Sequence, residues 1–316
     1  MQYPLVSAIV LCYNHARFVI ECLESVKAQN YPNLELIVND DASRDDSAVV
    51  IQAWLSKNNI PHRFVRQETN QGICRSANQT MSLARGKYIS GIAADDVWLP
   101  GKLLTQVELM ERLPEKYGVV YSDALQMDEE GKILERKFIE VHRHFEVKPE
   151  GNIHTILWEG NFIPAMTTLV RKACTDKVGG YDESLYVEDW DMWLRISRFF
   201  EFAYSDKISA KYRLVSTSMV RSNLGTVLDA MCQVCLKHLK GGSLEGEARR
   251  AAVSQLQSKA MLGFQCRSPG HKRNLLQALR YRASVGTAAG CIFAWCGFRY
   301  GRYERARAIF RGRRST

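Results

Sequence analysis

The chain has 316 residues, 46% hydrophobic and 24% charged, which excludes a disordered tail or a disulfide-stapled miniprotein and allows one large domain with an appendage, or two domains. Its net charge of +9 is unevenly divided: residues 221–316 hold 18 Lys and Arg against 4 Asp and Glu, whereas residues 1–220 hold 25 against 30. An acidic body excludes a general nucleic-acid binder, and a basic tail suits an anionic surface.

The opening residues, MQYPLVSAIVL, carry no basic leader, and no apolar run reaches the ~18–20 residues of a spanning helix, so a non-exported, cytoplasmic protein is expected. Leu5 to Leu11 is a short β-branched apolar run that suits a buried parallel strand. His15 to Gln29 spaces Phe18, Val19, Cys22, Leu23 and Val26 as one helical face. Leu34 to Val38 reads as a second strand. Ser43 with Asp46 reads as the N-cap of a helix carrying Ala48, Val49, Ile51, Trp54 and Leu55. A strand at His62 to Arg66, a helix over Ile73 to Leu83 and a strand at Tyr88 to Ile92 follow. This alternation predicts an α/β fold with a mostly parallel sheet flanked by helices.

From Tyr117 the rhythm changes. Val119 to Tyr121, the polar DEEGK turn from Asp128 and Ile133 to Ile139 predict a hairpin. A helix near Ile153 to Trp158, a strand at Met166 to Val170, a Gly179-Gly180 turn, an amphipathic helix over Asp189 to Phe199 and strands near Phe202 and Tyr212 come next. Beyond Ser222 only helices are expected: Leu224 to Leu239, Gly246 to Phe264, Lys272 to Ala283 and Val285 to Phe298. The domain division expected is 1–220 for the α/β body and 221–316 for a basic helical region. The nine cysteines show neither a disulfide framework nor zinc-site spacing and read as reduced thiols.

Parallel sheets bind ligands beyond the carboxyl ends of their strands. The loops there are Cys12-Tyr13-Asn14, Asn39-Asp40-Asp41-Ala42-Ser43 and Ala93-Ala94-Asp95-Asp96. Two of them carry adjacent carboxylates, which repel unless a cation or a proton donor lies between them. Mg²⁺ characteristically takes one or two carboxylates together with phosphates. Plainer readings exist: Asp40 and Asp41 suit the capping of a helix, Asp95 and Asp96 suit a solvated pair ahead of Pro100, and Tyr13 suits a core aromatic. Downstream, Glu188, Asp189 and Asp191 stand at a helix start, either as ordinary first-turn acids or as a general base at the same crevice.

The opening VSAIVLCYNHARFVIECLESVKAQNYPNLELIVNDDAS, the middle NQGICRSANQTMSLARGKYISGIAADDVWLP and the later GGYDESLYVEDWDMWLR resemble an inverting family 2 glycosyltransferase with the GT-A fold, over residues 5–220. That resemblance implies transfer of a sugar, UDP-linked, to a saccharide or lipid-linked glycan with inversion, in polysaccharide synthesis such as lipopolysaccharide or capsule. It implies Asp189 as general base with Glu188 and Asp191 as neighbours, and Cys12, Tyr13, Asn14, Asp40, Asp41, Arg75 and Asp95 around the nucleotide. Tyr13 would lie against the base, Asp41 would accept an N–H from its edge, and Asp95 would hold a divalent metal, Mg²⁺ or Mn²⁺.

Two positions depart from the family pattern. The first place of its Asp-x-Asp motif is Ala93, and Val215 stands where a His is frequent. They motivate an alternative, a catalytically impaired nucleotide-sugar-binding protein of the same fold. A dinucleotide-binding dehydrogenase is excluded, because the first turn is Cys12-Tyr13-Asn14-His15 and not glycine-rich. The tail, Val285 to Phe298 followed by Arg299, Arg302, Arg305, Arg307, Arg311, Arg313 and Arg314, has the pattern of an interfacial anchor. Peripheral contact of 285–316 with an anionic membrane, on the cytoplasmic face of the inner membrane, is therefore expected, and no nucleic acid.

Overall fold

The structure is a computed structural model that describes residues 3–186, 189–216, 223–298 and 300–301. The described residues form two compact units: one of 3–157, 161–184 and 189–216, the other of 223–298 and 300–301 with 158–160 and 185–186.

The first unit is built on β1 (Val6–Cys12), α1 (Val19–Lys27), β2 (Leu34–Asp40), α2 (Ser47–Lys57), β3 (His62–Arg66), α3 (Ile73–Ser82) and β4 (Tyr88–Ala93). Then come β5 (Val97–Trp98), α4 (Lys102–Arg112), β6 (Tyr117–Tyr121), β7 (Ala124–Met127), α5 (Phe138–His142) and α6 (His154–Trp158). A 3-10 turn (Ala165–Thr167), β8 (Leu169–Arg171), α7 (Lys172–Val178), α8 (Asp189–Ile196), β9 (Glu201–Tyr204) and β10 (Ala210–Arg213) complete it.

The central sheet has seven strands in the order β3-β2-β1-β4-β8-β6-β9, and β8 alone runs against the rest. A second, three-stranded sheet, β5-β10-β7, pairs β10 antiparallel to β5 and parallel to β7. Both faces of the large sheet are covered, as its near-continuous apolar strands require. Val6, Ala8, Val10, Leu36 and Val38 pack with Leu23, Val26, Ile51, Trp54, Leu103 and Met110 from α1, α2 and α4. On the opposite face Ile9, Ile37 and Ile89 pack with Ala84, Met81 and Leu83 at the end of α3. Fully burying each such side chain contributes about 1.5–3 kcal/mol.

The expected hairpin does not form. Only Met127 and Ile133 make an isolated bridge, Phe138–His142 is a helix, and β7 takes its strand partner from β10 instead. Helices α4 and α7 and the strand β5 occupy stretches for which no element was expected. Ser43 does not cap α2, whose N-cap is Asp46 without a side-chain bond. Met166 lies in the 3-10 turn and the strand begins at Leu169.

The second unit is helical: α9 (Leu224–Lys240), α10 (Gly246–Cys266), α11 (His271–Tyr281) and α12 (Val285–Trp295). Buried Asp229 of α9 accepts hydrogen bonds from Ser268 Oγ at 2.7 Å, Gly270 N at 2.6 Å and Asn274 Nδ2 at 2.7 Å, fixing the turn between α10 and α11. All nine cysteines are free thiols. No helix among the described residues is long and apolar enough to cross a membrane.

Candidate active site

Because β2, β1 and β4 are adjacent and parallel, their carboxyl ends bring three loops to one edge. The joins are direct: Asp41 N donates to Cys12 O at 2.9 Å, and Ala94 N donates to Leu11 O at 2.9 Å. Cys12, Tyr13, Asn14, Asp40, Asp41 and Asp95 therefore share that edge. Cys12 ends β1 beneath it, where burial pushes its thiol up to about 12. Tyr13 is 39% exposed, so it is not a core aromatic.

Asn14 holds the left-handed conformation that Asn tolerates, with φ +57°. Its side chain accepts from Arg44 N at 2.8 Å, and its N–H donates to Ser43 Oγ at 2.9 Å. Asp40 accepts from Ser43 N at 3.1 Å and Ser43 Oγ at 2.5 Å. The buried Asp41 carboxylate accepts from Gln71 N at 2.7 Å and Gly72 N at 2.9 Å, locking the entry to α3 onto the end of β2. Neither acid caps a helix. Ala42 between Asp41 and Ser43 has φ +57°, a conformation that costs a residue with a Cβ about 1–2 kcal/mol, so this loop carries backbone strain.

Arg75 leaves α3 to meet Glu183 at 3.2 Å and Gln71 Oε1 at 3.0 Å. Asn78 donates to Glu183 Oε1 at 3.0 Å and to Tyr181 O at 2.9 Å. A polar chain thus runs from Asp41 through Gln71 and Arg75 to the segment that leads toward Asp189.

Asp95 and Asp96 are not a solvated pair. Asp96 is buried and accepts from Arg213 N at 2.9 Å; Arg213 Nε donates to Asp95 O at 2.8 Å. The Arg213 guanidinium, itself buried, also donates to Glu21 at 2.5 Å and Glu129 O at 3.2 Å. Desolvation raises the Asp95 carboxyl above the ordinary carboxylate value, with His15 and Arg213 opposing the rise. Desolvation and the neighbouring Asp95 raise Asp96 further. His15 Nδ1 stands 3.7 Å from Asp95 Oδ1 and is a buried atom with no hydrogen-bond partner. Val215 is buried.

On the other side of β4, Thr167 Oγ1 donates to Ser122 O at 2.9 Å, so the 3-10 turn closes the carboxyl end of β6. Three residues before that turn's Pro164, Asn161 donates Nδ2–H to Asp189 Oδ2 at 2.9 Å, while Trp190 N donates to Asp189 Oδ1 at 2.6 Å. Burial raises the Asp189 carboxyl despite these two bonds. Asp191 points elsewhere. It is buried against Arg195 at 2.8 Å, and Arg195 binds Val178 O and Gly180 O, each at 2.9 Å, so this pair secures the Gly179-Gly180 turn to α8. Glu188 lies outside the described residues.

Against known families, residues 7–178 match the model described as Glycosyl transferase family 2. The chain belongs to glycosyl transferase family 2. An uncharacterized glycosyltransferase of Methanocaldococcus jannaschii is 30% identical over 224 residues, 68% of this chain and 72% of the relative. One from Rickettsia prowazekii is 28% identical over 220 residues, 67% of this chain but 64% of its own length. For a Rickettsia bellii relative the alignment spans 30% of the relative.

Among solved structures, the mannosyltransferase PcManGT of Pyrobaculum calidifontis, in complex with GDP-Man and Mn²⁺, superposes with a TM-score of 0.63 at 16% identity, over 94% of this chain and 81% of that one. Residues 1–349 of S. aureus TarS with UDP-GlcNAc give 0.60 at 16% identity, over 93% and 92%. The fold of this family 2 member is therefore the GT-A type that its sheet order suggests. Reading the sequence missed Arg213, Asn161 and His15, whose partners are remote in the chain; for His15 the available signal was its place in the β1 loop.

Proposed function

We propose that this family 2 member transfers a sugar, UDP-linked, to a saccharide or lipid-linked glycan acceptor with inversion, in the building of a cell-surface polysaccharide such as lipopolysaccharide or capsule. What carries the reading is a desolvated Asp95 at the end of β4 together with a second buried carboxylate, Asp189, held by Asn161 and the Trp190 N–H. Solved proteins of this fold hold UDP-GlcNAc or GDP-Man, which supports a nucleotide-sugar donor.

Tyr13 offers a ring face to the base, and Asp41 keeps lone pairs for a base N–H beside the two it gives to Gln71 and Gly72. Asp189 takes the proton of the acceptor hydroxyl as that oxygen bonds to the anomeric carbon. The bond to the diphosphate breaks on the opposite face, its electron pair leaving on the phosphate oxygen. The raised Asp189 carboxyl is a better base than a solvated one, and such catalysis contributes ~10²–10⁴ in rate. Asp95 is the residue that would hold a divalent cation, and His15 Nδ1, 3.7 Å from it and without a hydrogen-bond partner, adds a nitrogen donor beside it. The cation would supply Lewis-acid stabilisation of the charge gathering on the departing diphosphate.

The helical unit supports a peripheral place on an anionic, cytoplasmic membrane face. Along α12, Val285, Ile292 and Trp295 are 86%, 63% and 63% exposed, whereas Thr287, Gly290, Cys291 and Ala294 face inward. Lys272 Nζ stands 5.4 Å from the Trp295 ring, setting a cation beside this apolar strip. Arg299 and the Arg302 to Arg314 cluster lie outside the described residues.

Asp189→Asn tests the central reading: transfer and donor hydrolysis should be lost while UDP affinity stays within a few-fold. A large loss of UDP affinity, or retained transfer, refutes Asp189 as the base.

A further inference from the structure

We infer that His15 is the second protein ligand of the divalent cation, supplying through Nδ1 a nitrogen donor beside the Asp95 carboxylate. This rests on the cation proposed at Asp95 and names what completes its protein shell.

Three observations converge. Topology comes first: β1 and β4 are adjacent and parallel, so the loop carrying His15 and the loop carrying Asp95 leave the sheet side by side. Second, the two side chains face each other across 3.7 Å, beyond a normal hydrogen bond, and Nδ1 has no other partner. An imidazole nitrogen and a carboxylate oxygen at this separation can serve as two donors to one divalent cation.

Third, the His15 backbone is anchored, which fixes where its ring leaves the β1 loop. Its N–H donates to Ser47 Oγ at 3.0 Å, its carbonyl accepts from Phe18 N and Val19 N at 2.9 Å each, and its ring lies edge-on to Phe18. Two donors each about 2.1 Å from one cation stand about 3.0 Å apart at a right angle and about 4.2 Å apart when opposed, which brackets the observed separation.

Nitrogen donation here also accounts for what the site lacks. Ala93 offers no carboxylate, Val215 is apolar, and no three or more His, Cys, Asp and Glu side chains are placed to hold one metal ion among the described residues. With Asp95 alone, the cation would depend almost entirely on substrate phosphate and water. Imidazole shifts the preference from Mg²⁺ toward Mn²⁺ and later transition ions.

The experiment is Mn²⁺ retention by the full chain with UDP or GDP, read from the free-ion electron paramagnetic resonance signal, with echo modulation reporting a directly bound ¹⁴N. Wild type should retain Mn²⁺ and show nitrogen coupling. His15→Ala and His15→Gln should lose the coupling and bind Mn²⁺ about tenfold or more weakly, with UDP affinity in chelator unchanged. Coupling and affinity that survive in both variants overturn the assignment, and if Asp95→Asn still abolishes retention, the cation reading itself stands. No Mn²⁺ retention by wild type with either nucleotide removes the cation reading and this assignment together.

Discussion

Removing the Asn161 amide tests the carboxylate chemistry without touching the carboxylate. Asn161 Nδ2 donates to Asp189 Oδ2 at 2.9 Å, a bond that favours the ionised form against the burial that disfavours it. A hydrogen bond to a charged group contributes about 1.5–3 kcal/mol, and about 1.4 kcal/mol is tenfold in proton affinity. In Asn161→Ala that support is lost, so Asp189 binds its proton more tightly. A base works only when deprotonated, so activity rises with pH through its ionisation, and the acid limb of kcat/KM must move to higher pH. Below the limb, kcat/KM should fall about ten- to hundredfold, while the alkaline plateau should stay within a few-fold of wild type. Steady-state transfer assays across pH, with circular dichroism to confirm folding, measure both parts. A profile superimposable on wild type, or a limb displaced to lower pH, refutes Asp189 as the group whose ionisation controls the reaction.

Asp41→Ala strips Gln71 N and Gly72 N of their acceptor and should cost about 1.5–3 kcal/mol for each bond, read as a lowered Tm and weaker UDP binding; an unchanged Tm contradicts the clamp. Gly118→Ala should destabilise by about 1–3 kcal/mol in denaturant titration, because a Cβ there would strike Cys174 Sγ and come 2.8 Å from Phe200 Cβ. Glu35 is desolvated, yet bonds from Ser7 Oγ at 2.6 Å and Arg85 N at 2.7 Å outweigh burial and hold its carboxyl below the ordinary value. Its stabilisation is present above the unfolded value of about 4.3 and is lost as pH falls through the lower folded one, so Glu35→Gln should flatten the acid side of the Tm–pH curve. Ile292→Asp with Trp295→Asp should abolish cosedimentation with phosphatidylglycerol vesicles; unchanged pelleting contradicts the membrane face.

Strands β1 to β4 were legible because their apolar runs are local signals, and Asp41 and Asp95 were legible because strand ends are. The hairpin failed for the opposite reason. A polar turn after Met127 looked sufficient, but β7 pairs with β10, a partner some eighty residues away that no local pattern announces. Helix α4 was hidden by its buried polar residues: Lys102 lies inside the fold, where it donates to Ser90 Oγ at 2.6 Å, Gln106 Oε1 at 2.9 Å and Thr168 O at 3.2 Å. Asp189 was visible as a first-turn acid, whereas its divergence from Asp191 was not; two residues apart on a helix, one meets Asn161 and the other Arg195.

The brace made by Arg213 has a consequence for biosynthesis. Arg213 joins Glu21, the Asp95-Asp96 loop and the turn at Glu129, all made long before it. A nascent polypeptide still short of that arginine has Glu21, Asp95 and Asp96 translated but no guanidinium to hold them in register. Fragments ending before β10 should therefore leave the Asp95-Asp96 loop without its brace.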